Sequence, residues 1–463
     1  MIAAPPASVD VLVVGAGIAG LAAAERLLRE GEKRGRVPRV AVIEAAQEIG
    51  TGASSGLQGW FHSGALYATL ANPDSMRQCI RSEQLLAGMV SGLKLPAPRR
   101  RWLGDTLAYV IDRSLADTVG ATIAGLSGEA ATDAPFCASR EPYCTVRTRD
   151  RQLCTRSVLA DLRDSIAGRG GSVLCGWTLA EWRDGHAHFV PTCDGGPVAD
   201  AEAPATPMHI SFGRMVITAG CEIGRFDPRH TARFSRRTGI IVSVTPALEA
   251  PNLVRIAADK SKNISCIRHE RAAGTFSAVG DSTSLPADAD EASCERVAHA
   301  IRDKIVDLLG ERALVGRRLA WHACSKIEAL DTDDGEPAFR PAVWSLDTDR
   351  QVIAAIPSKF SLFPLLAEHI ADEANTHRWF EGSCERPIPQ EQAPSIPVVA
   401  PTRSEVSLGL SEGMTTAFLH GRIANAGSDS GSTEQGIEPP IVHTPTRLRQ
   451  RWMQVDENHR SVQ

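Results

Sequence analysis

The stretch Val11-Leu-Val-Val-Gly15-Ala-Gly17-Ile-Ala-Gly20-Leu-Ala-Ala-Ala-Glu25 runs from four apolar residues through a glycine-rich turn into an alanine-rich segment. This order predicts a buried strand, a tight turn and a helix. Gly15 permits the turn, Gly17 lets a pyrophosphate approach the backbone, and Gly20 lets the helix pack closely on the strand. The N–H groups at the helix start also favour a phosphate. The residues predicted to contact a dinucleotide are Gly15, Gly17, Ile18, Ala19 and Gly20.

A second apolar segment, Val40-Ala-Val-Ile43, ends in Glu44 and predicts the next strand of the same sheet. An acid at this place is expected to hold a ribose hydroxyl of the dinucleotide. The polar segment 31–36 explains the slightly long spacing between Gly20 and Glu44. The alternative is a glycine turn without a ligand, which the second strand and its acidic end disfavour.

Composition limits the class of protein. The 463 residues are enough for two or three domains, and the net charge of −5 gives no indication of a nucleic-acid partner. No window approaches the roughly 18 apolar residues of a spanning helix, so no transmembrane segment is predicted. Residues 1–10 lack an export signal, and we expect a cytoplasmic protein. The 11 cysteines show no CxxC or metal-ligand spacing, which predicts reduced thiols and no metal site.

The segment 50–67 contains five glycines and four serines or threonines in 18 positions. Such a composition fits neither a regular helix nor a packed strand, and it suits close approach of backbone to a ligand. A flexible surface loop is the alternative, but Trp60, Phe61 and Tyr67 disfavour it. The residues predicted to contact the cofactor in this segment are Gly52, Ala53, Ser54 and Ser55.

After residue 67 the spacing of apolar residues predicts further helices and strands. A helix is predicted over 71–93, and prolines and glycines interrupt the pattern over 94–145. A basic cluster follows and is interpreted as the solvated entry to the next helix, with an anion site as the alternative; its members are Arg147, Arg149, Arg151 and Arg156. Successive β-rich segments over 239–245, 263–269 and 274–280 suit an antiparallel sheet.

The order of these elements resembles the D-amino-acid-oxidase superfamily of FAD-dependent oxidoreductases from about Val11 to Ala374, with glycerol-3-phosphate dehydrogenase and L-2-hydroxyglutarate dehydrogenase as the nearest relatives. The glycine turn carries the resemblance, together with Gly52-Ala-Ser-Ser through His62-Ser-Gly64 and Val216-Ile-Thr-Ala-Gly220. A weaker similarity is that of Ser358-Lys-Phe-Ser361 to Gly-Lys-Leu-Thr in the glycerophosphate enzymes.

The resemblance implies an α/β fold, in which a Rossmann-like FAD-binding domain is interleaved with an α+β substrate domain built on an antiparallel sheet. The FAD-binding domain is expected over 1–93, 146–235 and 340–381, and the substrate domain over 94–145 and 236–339. Residues 382–463, rich in proline, serine and glycine, are expected to form a tail or appendage.

The resemblance also implies further contacts with FAD. A helix starting near Ser361 would direct its positive end at the N1/O2 edge of the flavin. Lys359 would add a full charge there or be solvated. The remaining residues expected to contact FAD are Leu179, Ala219, Gly220, Ser358, Lys359, Phe360 and Ser361.

The residues expected to act on the substrate are His62, Lys326 and Arg268. His62 matches the histidine of a His-X-Gly turn in the relatives, as a base, a substrate ligand or a covalent flavin tether; the alternative is packing between Phe61 and Tyr67. Lys326 stands where the glycerophosphate enzymes have arginine in Gly-X-Arg-Pro, and a lysine lacks the planar fork for bidentate binding. Candidate anion contacts elsewhere are Arg268, His269 and Arg340.

The leading hypothesis is an FAD-dependent dehydrogenase or oxidase that moves hydride from a CH–OH carbon of a small hydroxy acid or polyol derivative to flavin N5. The alternatives are an amine or amino-acid oxidase acting on CH–NH, and a protein with structural FAD that interacts through residues after Gly382. Oxygen, a quinone and a carrier protein stay open as electron acceptor.

Overall fold

A computed structural model describes most of the first 379 residues and one later strand. The described residues are 6–69, 72–123, 132–133, 137, 142–193, 196–197, 207–228, 233–271, 274–330, 337–377, 379 and 451–453. The tail predicted over 382–463 therefore lies outside the described residues, apart from 451–453.

The strands of the described residues form two sheets. In chain order the strands are β1 (Ser8–Val14), β2 (Val40–Glu44), β3 (Trp60–Phe61), β4 (Leu103–Asp112), β5 (Thr132–Asp133), β6 (Tyr143–Leu153), β7 (Ser172–Cys175), β8 (Trp177–Arg183), β9 (His186–Cys193), β10 (Gly196–Pro197), β11 (Met208–Ile217), β12 (Phe234–Thr245), β13 (Leu253–Ile256), β14 (Ile264–Arg271), β15 (Gly274–Gly280), β16 (Leu285–Pro286), β17 (Arg318–Ala329), β18 (Ala342–Ser345), β19 (Val352–Ile356) and β20 (Arg451–Met453).

The longer helices among the described residues are α1 (Ile18–Lys33), α2 (Pro73–Ser91), α3 (Thr155–Gly168), α4 (Glu291–Leu309) and α5 (Phe363–Thr376). Short helical turns occupy Ala53–Gly56 and Ala65–Thr69, and a 3₁₀ turn at Phe360–Leu362 leads into α5. The predicted helix over 71–93 corresponds to α2. Within the described part of the chain, no helix combines the length and apolar character needed to cross a membrane.

The first sheet has a parallel core in the order β7, β2, β1, β11 and β19. Helices α1, α3 and α5 pack on one face, where Val11 and Val13 meet Leu21 and Leu366. The antiparallel strands β8 and β9 extend from β11 and contribute Phe189 to the hydrophobic core on the other face. Because the core strands are parallel, the carboxyl ends of β1, β2 and β11 lie at one edge of the sheet, at Val14, Glu44 and Ile217. This is the edge at which α/β sheets bind their ligands.

The second sheet is mostly antiparallel and follows the order β20, β17, β12, β15, β14, β13, β4, β6 and β3. One face is covered by α4, whose Ile301 and Ile305 pack against Val242 and Trp321. The other face carries Tyr109 beside Trp60. Further along, it includes the side of β17 that contacts the turn at Ala53–Gly56. The two sheets together form the predicted α/β fold with a Rossmann-like parallel sheet and an antiparallel substrate sheet.

The segment around residue 146 differs from the prediction. Residues 143–153 form β6 of the second sheet, so the predicted boundary at 146 falls inside a strand. The alternation of this strand exposes Arg147 and Arg149 and buries Thr148 and Asp150. Arg147, Arg149 and Arg151 therefore belong to a strand and not to a helix entry, whereas Arg156 lies exposed in the first turn of α3, as predicted.

Close contact between the turn after β1 and helix α1 fixes the edge of the first sheet. Gly15 has φ +104°, and a Cβ there would lie 2.6 Å from the Thr218 carbonyl oxygen. A Cβ at Gly20 would lie 1.9 Å from the Gly15 carbonyl oxygen and 2.6 Å from Thr218 Oγ1. Both glycines are therefore required by sterics of the fold as well as by a ligand.

We predict that Gly20→Ala lowers the free energy of unfolding by about 2 kcal/mol, because the new methyl group must push α1 away from the turn. Urea unfolding followed by circular dichroism measures the change. Gly88→Ala is the matched control, since an ideal Cβ at this exposed site in α2 meets no atom within 4 Å. The control should be as stable as the parent or more stable by up to about 1 kcal/mol. Equal stability of Gly20→Ala and the parent would contradict the packing argument.

Candidate active site

The turn after β1 is held by side chains from the neighbouring elements. The Ile18 N–H at the start of α1 donates to Ser54 Oγ at 2.9 Å. Thr218 Oγ1 donates to the Val14 and Gly15 carbonyl oxygens at 3.0 and 3.1 Å. The structure thus brings the predicted loop residue Ser54 to the predicted glycine turn, although 36 residues separate Ser54 from Ile18.

Glu44 stands at the carboxyl end of β2 beside this turn. Its Oε2 accepts from the Ala16 N–H at 2.7 Å and its Oε1 from the Ala46 N–H at 2.9 Å. Burial raises the pKa of the Glu44 carboxyl, and these backbone N–H groups oppose that rise. The acid lies where a ribose hydroxyl of FAD is expected.

The backbone around the turn leaves room for a bound group. An ideal Cβ at Gly52 or at Gly220 would meet no atom within 4 Å, and Gly220 has φ +54°. A Cβ at Gly17 would lie 3.2 Å from Ser54 Oγ. Open space beside glycine backbone and the start of a 16-residue helix suits the pyrophosphate of FAD. The residues present therefore fit this cofactor.

Ala219 and Leu179, which are also predicted to contact FAD, both lie at the first sheet but differ in burial. Ala219 follows β11 and is partly buried against the core. Leu179 lies in β8 with its side chain in the hydrophobic core, so only its backbone is available to a cofactor. The core position reflects the alternation of β8, which the sequence around Leu179 does not indicate.

The segment before α5 has an unusual backbone. Ser358 has φ +58°, in the region that favours glycine, and the glycerophosphate relatives have glycine at the matching place. Its hydroxyl donates to the Arg340 carbonyl oxygen at 2.6 Å and accepts from the Ala329 N–H at 3.0 Å. These two hydrogen bonds offset the cost of the left-handed conformation.

Ser361 joins the start of α5 to the loop that carries His62. The buried Ser361 hydroxyl accepts from the His62 N–H at 2.8 Å and donates to the Trp60 carbonyl oxygen at 3.3 Å. Phe360, the other predicted contact here, packs against Phe363 with a ring-centroid separation of 6.0 Å. The structure thus unites His62 with the Ser358–Ser361 segment, as expected for a flavin-side cluster.

The His62 ring is largely enclosed, with a side chain that is 13% exposed. Its ring centroid lies 4.0 Å from that of Trp60 and 5.8 Å from that of Tyr67. Burial lowers the His62 pKa to about 4, while the Asp150 charge raises it and the Lys359 charge lowers it. His62 is therefore neutral near pH 7. Among the described residues its Nδ1 has no hydrogen-bond partner.

Lys359 is paired rather than solvated. Its Nζ donates to Glu328 on β17 and lies 4.2 Å from the centroid of the Phe339 ring. Burial lowers the pKa of Lys359, and the Glu328 charge opposes the fall. Burial also raises the pKa of Glu328, but the charge of Lys359 and other cations outweighs it and leaves that pKa below its ordinary value. The two groups form a partly desolvated ion pair.

Strand register adds two cations to this pair. Arg237 on β12 is directly opposite Lys326 on β17, and Glu328 lies two residues further on the same face. Arg237 Nε is 3.9 Å from Glu328 Oε2, and Lys326 forms no salt bridge to any residue of the described ranges. Three cations, counting Lys359, thus surround one carboxylate.

The same face of β17 meets the cofactor loop. His322 Nε2 lies 3.0 Å from the Gly56 carbonyl oxygen, and Cys324 Sγ donates to the Ala53 carbonyl oxygen at 3.9 Å. One side of β17 carries every second residue of the strand, in the order His322, Cys324, Lys326 and Glu328. The strand therefore carries the cationic residues past the loop predicted to bind FAD.

The other proposed anion contacts have different surroundings. Arg268 is exposed and shares its strand face with Cys266, which packs in the core beneath α4. His269 lies between Gln58 and Gln152, with contacts of 2.7 and 3.1 Å. Arg340 is exposed, and its carbonyl oxygen accepts from Ser358. The structure brings Lys326 to the charged cluster and places Arg268 on a different strand face.

Sequence reasoning missed three charged residues of the site. Arg237 and Glu328 are brought to Lys326 and Lys359 by pairing of distant strands, which no local pattern indicates. Asp150 is different, because it follows Thr148 on the buried face of β6, while Arg147 and Arg149 mark the exposed face. The alternation of this segment in the sequence therefore indicates a buried acid.

The sequence profile described as FAD dependent oxidoreductase (DAO) matches residues 10–373. No curated protein matches the sequence. Among solved structures, an FAD-dependent oxidoreductase from Pseudomonas aeruginosa has a TM-score of 0.57 and 18% identity, covering 81% of this chain and 92% of that chain. Glycine oxidase from Geobacillus kaustophilus has a TM-score of 0.55 and 17% identity, covering 80% of this chain and 95% of that chain.

L-α-glycerophosphate oxidase from Mycoplasma pneumoniae has a TM-score of 0.52 and 12% identity, covering 80% of this chain and 94% of that chain. At these identities the structural matches show a shared fold. The family profile spans more than half of the chain and includes the glycine turn, His62 and α5. The chain therefore belongs to the DAO family of FAD-dependent oxidoreductases.

Proposed function

We propose that the protein oxidises a small hydroxy acid, with Lys326 and Arg237 binding the carboxylate and His62 accepting the hydroxyl proton. The observation that carries this proposal is a neutral, buried histidine next to a cluster with excess positive charge. Bound FAD supplies the acceptor for the hydride. The named residues and the nearness to glycerol-3-phosphate and L-2-hydroxyglutarate dehydrogenases form part of this proposal.

The charge balance supports an anionic substrate. Arg237, Lys326 and Lys359 exceed Glu328 by two positive charges, and the balance stays positive when Asp150 is included. Partly buried cations in excess attract an anion, because water cannot fully screen them. Part of this charge also suits the flavin, toward which the start of α5 is expected to point.

The state of His62 supports an alcohol as the reacting group. A neutral imidazole can accept the proton that leaves when a hydroxyl becomes a carbonyl. Trp60 and Tyr67 enclose the ring and limit its access to water. Amino acids carry the same carboxylate, so an amino-acid oxidase is the second candidate; its substrate can lose the amine proton to solvent before hydride transfer.

We predict that, under anaerobic conditions, one hydroxy acid of a panel bleaches the flavin absorption of the purified protein. The panel contains 2-hydroxy acids, polyol phosphates and amino acids, and a visible spectrum records each titration. Bleaching by amino acids alone would replace the proposal by its alternative. If no organic donor reduces the flavin, a structural role of FAD is favoured instead. Admission of air, a quinone or a carrier protein after reduction identifies the electron acceptor.

We predict that His62→Gln still binds FAD but lowers the rate of flavin reduction by 100-fold or more, which is about the contribution of a general base. In the parent protein this rate should fall as pH drops through about 4, where His62 becomes protonated and can no longer accept a proton. Stopped-flow absorbance measures both effects. His269→Gln is the control, because His269 lies on β14, where its ring contacts Gln58 and Gln152. An unchanged rate in His62→Gln would assign this histidine to packing.

We predict that Lys326→Met weakens binding of carboxylate inhibitors by about 10- to 100-fold, since it removes a charged hydrogen-bond donor. Inhibitor titrations followed by the flavin spectrum give Kd. Lys326 is preferred to Arg237 because its removal breaks no ion pair among the described residues. Arg236→Met is the control, because Arg236 projects from the other face of β12, toward Glu222 at 3.8 Å. Equal Kd values for Lys326→Met and the parent would exclude Lys326 from the anion site.

A further inference from the structure

Asp150 is a fully buried carboxylate on the inner face of β6. Its Oδ2 accepts from Trp60 Nε1 at 2.8 Å and from the Tyr109 hydroxyl at 2.7 Å. Its Oδ1 accepts from the Ser63 N–H at 2.7 Å and from the Ser63 hydroxyl at 2.6 Å. Three of these four hydrogen bonds come from Trp60 and Ser63, which lie on either side of His62 in the sequence.

These partners fix the orientation of the Asp150 carboxyl group. The indole N–H and the backbone N–H can only donate, and each carboxyl oxygen receives one of them together with one hydroxyl. Among the described residues no lysine or arginine forms a salt bridge with Asp150, and the basic side chain within 4 Å of it is that of His62.

The geometry relates this carboxylate to one nitrogen of His62. Nδ1 of His62 lies 3.8 Å from Asp150 Oδ2, which is longer than a hydrogen bond. Catalytic hydrogen bonds are often long without substrate and shorten in the complex. Since this Nδ1 has no hydrogen-bond partner among the described residues, Asp150 is the group placed to receive its proton donation.

We propose that Asp150 is a positioning residue that holds the Nδ1–H tautomer of His62 and leaves Nε2 free to accept the substrate proton. The inference rests on the proposed function of His62. In the oxidation the C–H bond breaks with its electron pair, which leaves as hydride to the cofactor. The O–H bond breaks and its proton passes to Nε2, so that a carbonyl forms and Asp150 faces an imidazolium.

Several other groups face His62 and contribute to its titration. Lys359 approaches from the segment before α5 and Tyr67 from the turn 65–69. Cys79 on α2 and Glu328 on β17 lie next to these groups. Of the charged groups, the negative charge of Asp150 favours protonated His62 and the positive charge of Lys359 opposes it.

The test combines a spectroscopic readout with a pH profile. Protein labelled with ¹⁵N-histidine and loaded with FAD is studied by NMR without substrate, and His62→Gln identifies the His62 signals. We expect the Nδ1–H tautomer in the parent at pH 7. In Asp150→Asn we expect this tautomer to be lost, the acid limb of flavin reduction to move to lower pH, and the plateau rate to fall about 100-fold.

Tyr109→Phe separates positioning from support of the loop. It removes one donor to Asp150 and leaves the carboxylate in place. A role limited to holding the loop predicts the same tautomer and the same acid limb in Asp150→Asn as in the parent. Our inference predicts that Tyr109→Phe keeps both and that Asp150→Asn changes both.

An Nε2–H tautomer in the parent would overturn the inference, and this measurement decides even if Asp150→Asn fails to fold. An unchanged tautomer and acid limb in folded Asp150→Asn would also overturn it. Failure of every hydroxy acid to reduce the flavin would reject the proposed function and the proton transfer to Nε2. In that case the Nδ1–H tautomer and its loss in Asp150→Asn would still establish the pairing of Asp150 with His62.

Discussion

The contact between helix α1 and the turn after β1 is the constraint on which the arrangement of the site depends. No side chain fits at Gly15 or Gly20, so the helix starts directly against the carboxyl edge of the parallel sheet. Ser54 and Thr218 then fill the hydrogen bonds around the turn. Since the next strand and the loop over 50–56 are fixed relative to this turn, the position of the second sheet follows from the first.

The features predictable from sequence are those encoded within a few residues. The glycine turn, Glu44 and the Ser358–Ser361 segment depend on local backbone conformation, and each lies at the edge where the sequence places it. Arg268 and Leu179 depend on strand parity, since a shift of one residue moves a side chain to the opposite face. Arg237 and Glu328 depend on which distant strands pair, and that choice is made by packing of the whole sheet.

The charged groups of the site form two sets with different surroundings. Glu328 lies among cations that approach from three segments of the chain, which leaves a net positive charge there. Asp150 is enclosed by neutral donors and has the His62 imidazole beside it. The proposed anion site and the proposed control of one proton thus involve different carboxylates, while the charges of Lys359 and Asp150 both affect the pKa of His62.

The left-handed serine at position 358 has a mechanical consequence. Its hydroxyl links the end of β17 to residue 340, while Lys359 bonds to Glu328 and Cys324 contacts the cofactor loop. These contacts join the end of β17, the segment before α5 and the turn at Ala53–Gly56. The strand that carries Lys326 and the start of α5 are therefore connected by direct hydrogen bonds, and a displacement of one relative to the other would have to break them.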